Sequence, residues 1–194
     1  MTKNTKRRRQ KTKEQTDLVK KEYTGEEKTR IAKYLERSKR EPVKFKRGTD
    51  DSGKPILELH TSDVTSGLAK LNEAFGTPDA ELQTFLLNQV VQTFKGLVSS
   101  DGFNDSRMAE FSNYTMAFLN GIQPQDEIEG MLAVQMIAVH NMIMETMKLA
   151  MITGQPPQWV ETNVNHATKM LRTFTAQMEA LKRYKYYNLL GIRY

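Results

Sequence analysis

A run of basic residues near the N-terminus is the part of the sequence whose residue types most directly predict a chemistry. Seven cations and no acidic residue occur within residues 1–13. Because each phosphate that a Lys or Arg neutralises releases counterions, such a run predicts non-specific binding to nucleic acid. A solvated tail that binds nothing specific is an equally weighted alternative. The predicted nucleic-acid-binding residues are Lys3, Lys6, Arg7, Arg8, Arg9, Lys11 and Lys13.

Two histidines could form a polar site in the C-terminal part of the chain. If the last two predicted helices are antiparallel, His140 lies level with about residue 169 and within about one helical turn of His166. Glu145 or Asn163 would complete such a site. Metal sites in helical bundles usually combine carboxylates with Glu-x-x-His pairs, and the sequence contains no such pair. We therefore predict no metal site, with one histidine inside the bundle and the other outside.

Motifs of the common catalytic and cofactor sites do not occur in the sequence. The chain has no cysteine, which excludes disulfides, thiolate zinc sites and cysteine nucleophiles. It has no phosphate-binding glycine-rich loop, no G-x-S-x-G elbow and no H-E-x-x-H motif. Asp126, Glu127 and Glu129 fit the start of a helix better than an acid–base pair, because carboxylates stabilise the positive end of the helix dipole. We expect a non-enzymatic protein with no catalytic residue, no cofactor and no identified small-molecule substrate.

Helical patterns and their stop signals cover residues 63–185. A proline and two acids within Gln123–Glu127 begin a long central helix, and the turn at Thr153–Pro157 separates it from the last helix. The predicted fold class is all-α, a bundle of about five helices with a C-terminal antiparallel helical hairpin. The predicted helices cover 64–75, 78 to about 98 after an N-cap at Thr77, about 106–120, the central helix, and about 157–185.

An apolar seam is predicted along the last helix, where spacings of 4 and 3 residues alternate over six turns. The preceding segment, Met131–Ile152, leaves no wide polar face, so we expect other parts of the protein to bury it. Six methionines lie within residues 131–151, and their spacing indicates a core or an oligomer interface rather than a ligand set. The seam residues are Val160, Val164, Ala167, Leu171, Phe174, Met178 and Leu181.

Charge is unevenly distributed along the chain. Residues 1–50 hold 18 Lys and Arg against 8 Asp and Glu, a net charge of +10, and residues 51–194 hold 11 against 15, a net charge of −4. This asymmetry predicts a polyanion-contacting or solubilising tail on a mildly acidic domain. The predicted organisation is a disordered basic arm (1–23), a short helix and extended linker (24–62), a helical domain (63–185) and a C-terminal tail (186–194). A two-stranded hairpin is the alternative to the linker.

We expect a cytoplasmic protein that does not interact with membranes. The basic start is not followed by an apolar region typical of a secretory signal. Polar and charged side chains between Gln135 and Lys148 make Met131–Ile152 costly to place in lipid. The predicted partners are nucleic acid, bound non-specifically, and a second copy of the chain through the Met-rich helix.

Residues 121–185 resemble a family of small, helical, uncharacterised proteobacterial proteins that often occur in prophages or mobile elements. The resemblance is carried by Gly121–His140 and Leu171–Tyr184, with a weaker match at Ala74–Asp79. The family has no established activity, so the resemblance implies no site residue. Many members continue into a polar segment and a short Val-rich tail, whereas this chain turns to the Tyr- and Leu-rich residues 185–194.

These observations favour a non-enzymatic binding or assembly protein of a bacterial or phage-like element. In this interpretation the basic arm contacts nucleic acid without reading its sequence. The alternative is a structural helical oligomer, or a protein-interaction module, with no role in binding nucleic acid. An enzyme that uses His140 and His166 is the third hypothesis.

Overall fold

The computed structural model describes residues 23–97 and 105–191, and this part of the chain is mainly helical. The chain forms two compact units, and the second begins at Pro42. The first unit contains helix α1, Gly25–Ser38. Thr24 and Glu27 form a capping box at its start, each side chain accepting a backbone N–H of the other residue. No residue of α1 is buried.

The second unit confirms the predicted all-α fold class and the C-terminal antiparallel hairpin. A small antiparallel sheet precedes the helices, with Phe45 opposite Leu59 and Thr49 opposite Pro55. The last two helices are the longest and pack side by side along their length. The elements are β1 (Phe45–Thr49), β2 (Pro55–Leu59), α2 (Val64–Phe75), α3 (Ala80–Leu97), α4 (Asp105–Ile122), α5 (Glu127–Ala150) and α6 (Pro157–Leu189).

The start and stop of the first helices follow from local sequence, with one correction. Asp63 caps the start of α2, and Gly76 ends it in the left-handed conformation at φ 69°. The predicted N-cap of α3 at Thr77 was wrong. The carboxylate of Asp79 accepts the N–H groups of Glu81 and Leu82 at 2.9 and 3.0 Å, so α3 begins at Ala80.

The hydrophobic core lies where α2, α3 and α4 meet the first half of α5. Gly130 of α5 passes so close to the backbone carbonyl of Phe75 that a Cβ atom on Gly130 would overlap it. This close approach brings the N-terminal end of α5 against the end of α2. The most deeply buried apolar side chains of this core are Phe75, Leu86, Val90, Val91, Met116, Leu119 and Ala133.

The segment expected to be an extended linker instead contains a β-hairpin packed on α4. Asn113 of α4 accepts the N–H of Phe45 at 2.6 Å and donates to its carbonyl at 3.0 Å. Val43 is buried, and Leu57 and Leu59 pack against the core. A two-stranded hairpin is marginal by itself. Contacts with a helix more than 50 residues away stabilise it, and local sequence does not reveal them.

The expectation that other parts of the protein bury the central helix is correct only for its first half. The α2–α4 bundle contacts α5 as far as His140, whereas beyond Met142 only Ile143 is buried. At 24 residues α5 is about 36 Å long, and most of its residues beyond Met142 are exposed or half-buried. The second half of the hairpin therefore exposes large apolar side chains, namely Met142, Met144, Met147, Leu149, Met151, Ile152, Trp159 and Val164.

The predicted seam of α6 is also displaced on the helix. Ala167, Phe174 and Leu181 face α5 as predicted, and they are buried or half-buried. The intervening positions that face α5 are occupied by half-buried residues of mixed polarity, Asn163, Met170, Gln177 and Tyr184. The predicted seam residues Val164, Leu171 and Met178 are 43–49% exposed.

The helices that the structure describes lie within residues 23–97 and 105–191. None of them combines the length and the apolar character that a bilayer-spanning segment requires.

Candidate functional site

The predicted nucleic-acid-binding residues precede the part of the chain that the structure describes. All seven cations, from Lys3 to Lys13, lie outside it. The first described helix, α1, carries acids and cations along an exposed surface, where Glu26 and Arg30 pair at 3.7 Å. Because α1 contains four Lys and Arg and three Asp and Glu, it adds little to the positive charge of the N-terminal segment.

The two histidines do not form a common site. The ring of His140 lies between those of Phe118 and Phe174, with centroid distances of 5.9 and 6.0 Å, and is half-buried. His166 is exposed on α6, eight residues and about 12 Å of helix from Phe174. His140 therefore serves as part of an aromatic contact joining α4, α5 and α6. Within residues 23–97 and 105–191 no cluster of three His, Asp or Glu side chains could hold a metal ion.

A polar cluster at the base of the α5–α6 hairpin is the most organised arrangement of charged groups in the described residues. Lys185 of α6 places its ammonium 2.9 Å from a carboxylate oxygen of Glu129, whose side chain is fully buried. The same ammonium donates to the backbone carbonyls of Gln123 and Ile122 at 2.7 and 3.1 Å. One lysine therefore binds the C-terminal end of α4 and the N-terminal end of α5.

Glu129 has a second role in this cluster. Its bonded oxygen, Oε2, also accepts the backbone N–H of Gln125 at 2.8 Å. Its other oxygen, Oε1, has no hydrogen-bond partner in the part of the chain that the structure describes. A buried carboxylate is tolerated when a cation and hydrogen-bond donors compensate its charge, and here Lys185 supplies the charge.

Asp126 extends the cluster by one more turn of α6. One of its carboxylate oxygens caps α5 by accepting the N–H of Glu129 at 2.9 Å. The other accepts the hydroxyl of Tyr184 at 3.1 Å and the amide of Asn188 at 3.0 Å. Desolvation raises the pKa of Tyr184 above its ordinary value, and the hydrogen bond to Asp126 raises that pKa further.

These contacts show what the cluster can do. All three ammonium protons of Lys185 have acceptors, and the carboxylate of Glu129 is closed to solvent. Charged groups whose hydrogen-bonding atoms are paired within the protein, or closed to solvent, position helices and do not offer an acid, a base or a nucleophile to a substrate. The cluster, Asp126, Glu129, Tyr184, Lys185 and Asn188, is a clamp that holds α6 against the junction of α4 and α5.

Sequence reasoning identified only part of this clamp. Asp126 and Glu129 were interpreted as acids at the start of a helix, and the cap at Asp126 confirms that role for Asp126. Burial of Glu129 and its pairing with a residue 56 positions away were not predicted. The available signal was Lys185, which follows Leu181 by four residues and so continues the apolar side of α6. A lysine at such a position needs an acidic partner.

A shallow groove of about 610 Å³ lies beside the C-terminal end of α6 and combines cations with tyrosines. Lys182 and Arg183 contribute charge, and the rings of Tyr186 and Tyr187 meet edge to face at a centroid distance of 6.0 Å. Cations next to aromatic rings can contact phosphates and stack on bases. The groove is open and is formed by one helix, so it offers a contact surface and not an enclosed pocket.

Comparison with protein-family models, with curated proteins and with solved structures gives no match to this chain.

Proposed function

We propose that this protein is a cytoplasmic, non-enzymatic binding or assembly protein of a bacterial or phage-like element, and that its N-terminal arm (residues 1–23) contacts nucleic acid non-specifically. The observation that carries the proposal is the separation of charge. Residues 1–50 have a net charge of +10 and the remainder a net charge of −4. A mildly acidic body repels a polyanion, so the attraction comes from the basic segment.

The described body of the protein supports an assembly role. Its best-organised charged cluster, the clamp of Glu129 and Lys185, positions helices. Its longest element, the α5–α6 hairpin, extends beyond the core and exposes apolar side chains on both helices. Contiguous exposed apolar surface is typical of interaction sites. That observation also favours the second candidate function, a helical oligomer or interaction module that binds no nucleic acid.

Binding by the arm has a defined physical signature. Affinity that comes from neutralised phosphates falls with salt, with a log–log slope of about −0.9 for each duplex phosphate contacted. If each of the seven cations within residues 1–13 contacts one duplex phosphate, the slope is about −6. Base sequence should matter little, because Lys and Arg contacts to phosphates carry no direct sequence information.

The experiment measures fluorescence anisotropy of labelled duplex and single-stranded DNA and RNA at two salt concentrations. The full chain is compared with a deletion of residues 1–23 and with a variant in which the seven cations are Gln. Arg183→Gln is the matched control, since it removes one exposed cation from the body. We expect the deletion and the seven-Gln variant to lose most binding without a change in melting temperature, and Arg183→Gln to lose little.

Two results would reject the nucleic-acid proposal. One is no binding by the full chain at low salt, and the other is equal binding by the full chain and the deletion. The first result would leave the helical oligomer as the better explanation. The second would indicate that nucleic acid binds outside the arm, and the groove at Arg183 and Tyr186 would be tested next.

A further inference from the structure

A second apolar row runs along α6 beside the side that packs on α5. Val164, Leu171 and Met178 are spaced seven residues apart, which keeps them on one line of the helix over about 21 Å. Their exposed fractions are 49%, 44% and 43%. The helix thus has one apolar row covered by α5 and a neighbouring apolar row that no described element covers.

The contacts across the hairpin show which part of α5 borders this row. Glu129 meets Lys185, and His140 meets Phe174, so facing residues have numbers that sum to about 314. Met144 of α5 is therefore level with Leu171. In an antiparallel helix pair, the residues directly after the facing positions of both helices lie on the same side of the pair.

Met144 follows the buried Ile143, and Leu171 follows the half-buried Met170, so Met144 and Leu171 lie on the same side. By the same reasoning Met151 lies beside Val164. Met144 is 54% exposed and Met151 is 84% exposed. We call the surface formed by Met144, Met151, Val164, Leu171 and Met178 the hairpin face.

The width of the apolar surface on α6 indicates a missing neighbour. A helix with a single partner needs one narrow apolar seam, whereas a helix with a second apolar row beside that seam packs against more than one element. The described contacts of α6 are almost entirely with α5. A further helix packed on the hairpin face would bury the exposed row.

Charge and spacing on α6 are complementary to a second copy of the same helix in the opposite direction. With Leu171 at the centre, Val164 lies opposite Met178 of the other copy, because each is seven residues from the centre. Three or four residues farther from the centre along each helix, Glu161 then lies level with Lys182 of the other copy. Both side chains are exposed, and neither forms an ion pair with any residue that the structure describes.

We propose that α6 pairs with α6 of a second copy in antiparallel orientation, about a two-fold axis at Leu171. Two Leu171 side chains meet at the axis, two Val164–Met178 pairs flank it, and a Glu161–Lys182 pair closes each end. A two-fold interface uses the same patch on both copies, as this arrangement does. A parallel pair in register would instead place Glu161 next to Glu161 and Lys182 next to Lys182. The proposal does not depend on nucleic-acid binding by the arm.

Cysteine cross-linking of the full-length protein tests the geometry, because the chain has no cysteine of its own. Leu171→Cys should form a covalent dimer with a short bismaleimide. Val164→Cys and Met178→Cys should cross-link poorly alone and efficiently when mixed. Thr173→Cys, an exposed control on the opposite side of α6, should not cross-link. Efficient dimers from Val164→Cys alone and from Met178→Cys alone, without heterodimers in the mixture, would contradict the antiparallel orientation.

Sedimentation equilibrium measures the strength of the association. Leu171→Asp places two carboxylates together at the axis, and we expect it to weaken dimerisation by more than about tenfold. The far-ultraviolet circular dichroism should stay unchanged, because Leu171 is 44% exposed within one chain. Glu161→Lys should also weaken the dimer, and adding Lys182→Glu should restore it. A wild-type protein that remains monomeric at high concentration, or an unaffected Leu171→Asp dimer, would overturn the proposal.

Discussion

Replacement of Lys185 by Met tests the clamp that holds the α5–α6 hairpin. Met preserves the length and apolar character of the lysine stem and removes only the ammonium. The change abolishes the 2.9 Å ion pair with Glu129 and two hydrogen bonds to backbone carbonyls at the end of α4. It leaves a fully buried carboxylate that keeps its hydrogen bond from the Gln125 N–H but loses its cation.

The expected loss of unfolding free energy differs between Lys185→Met and Glu129→Gln, because the two side chains differ in solvent exposure. Removing one member of a buried ion pair costs about 3–5 kcal/mol, because the remaining charge is uncompensated. The side chain of Glu129 has no solvent exposure, so Lys185→Met should lower the free energy of unfolding by that amount. Lys185 is 32% exposed, so water can hydrate its ammonium when the carboxylate is removed. Glu129→Gln should therefore cost less, about 1–3 kcal/mol.

Urea unfolding followed by circular dichroism at fixed protein concentration measures both values. Lys169→Met is the matched control, since Lys169 is exposed on the same helix, and it should change stability by less than about 0.5 kcal/mol. The double variant Glu129→Gln/Lys185→Met should be more stable than Lys185→Met alone, because it no longer buries an unpaired charge. A cost of less than about 1 kcal/mol for Lys185→Met would refute the clamp as a stabilising element.

Three further predictions concern the packing of the second unit. Gly130→Ala should lower the free energy of unfolding by about 1–3 kcal/mol, because its Cβ would overlap the carbonyl of Phe75. Gly121→Ala, which adds a Cβ in open space on α4, is the control and should leave the melting temperature unchanged or raise it. Asn113→Ala should cost about 1–3 kcal/mol in urea unfolding, because it removes both hydrogen bonds to β1; hydrogen exchange that stayed slow in the strands would contradict this. The pKa of Tyr184 is higher in the folded chain than its ordinary 10.0, so its contribution to stability is present below that pH and is lost as pH rises through the raised pKa. Tyr184→Phe should therefore reduce the fall in melting temperature at alkaline pH. An unchanged dependence of melting temperature on alkaline pH would contradict the raised pKa of Tyr184.

Local sequence was sufficient to predict the helices and their boundaries within a few residues. The capping box at Thr24, the cap at Asp63 and the stop at Gly76 all act through neighbouring backbone groups, so they can be identified without a tertiary structure. Local pattern also predicted the start of α6 at Pro157. The end of α6 was predicted about four residues early, because its last turn carries tyrosines and cations in place of an apolar stripe.

The side of a helix that is buried depends on its neighbour. Spacings of 3 and 4 residues alternate equally well on two adjacent rows of α6, one through Asn163 and Met170 and the other through Val164 and Leu171. Hydrophobicity favours the second row, yet α5 packs on the first. The contacts of α6 with α5 are set by the antiparallel register, which the clamp at Lys185 and the ring contact of His140 help to define. The sequence pattern alone could not choose between the rows.

The sequence by itself determined the all-α class, the helical hairpin and the separation of a basic N-terminal segment from an acidic body, because composition and periodicity are local properties of the chain. Only the tertiary structure decided that Glu129 is buried against Lys185, that His140 and His166 are apart, and that the hairpin face is exposed. Each of these depends on residues from 26 to more than 50 positions apart. Their proximity follows from how the helices cross and pair, and no single segment specifies it.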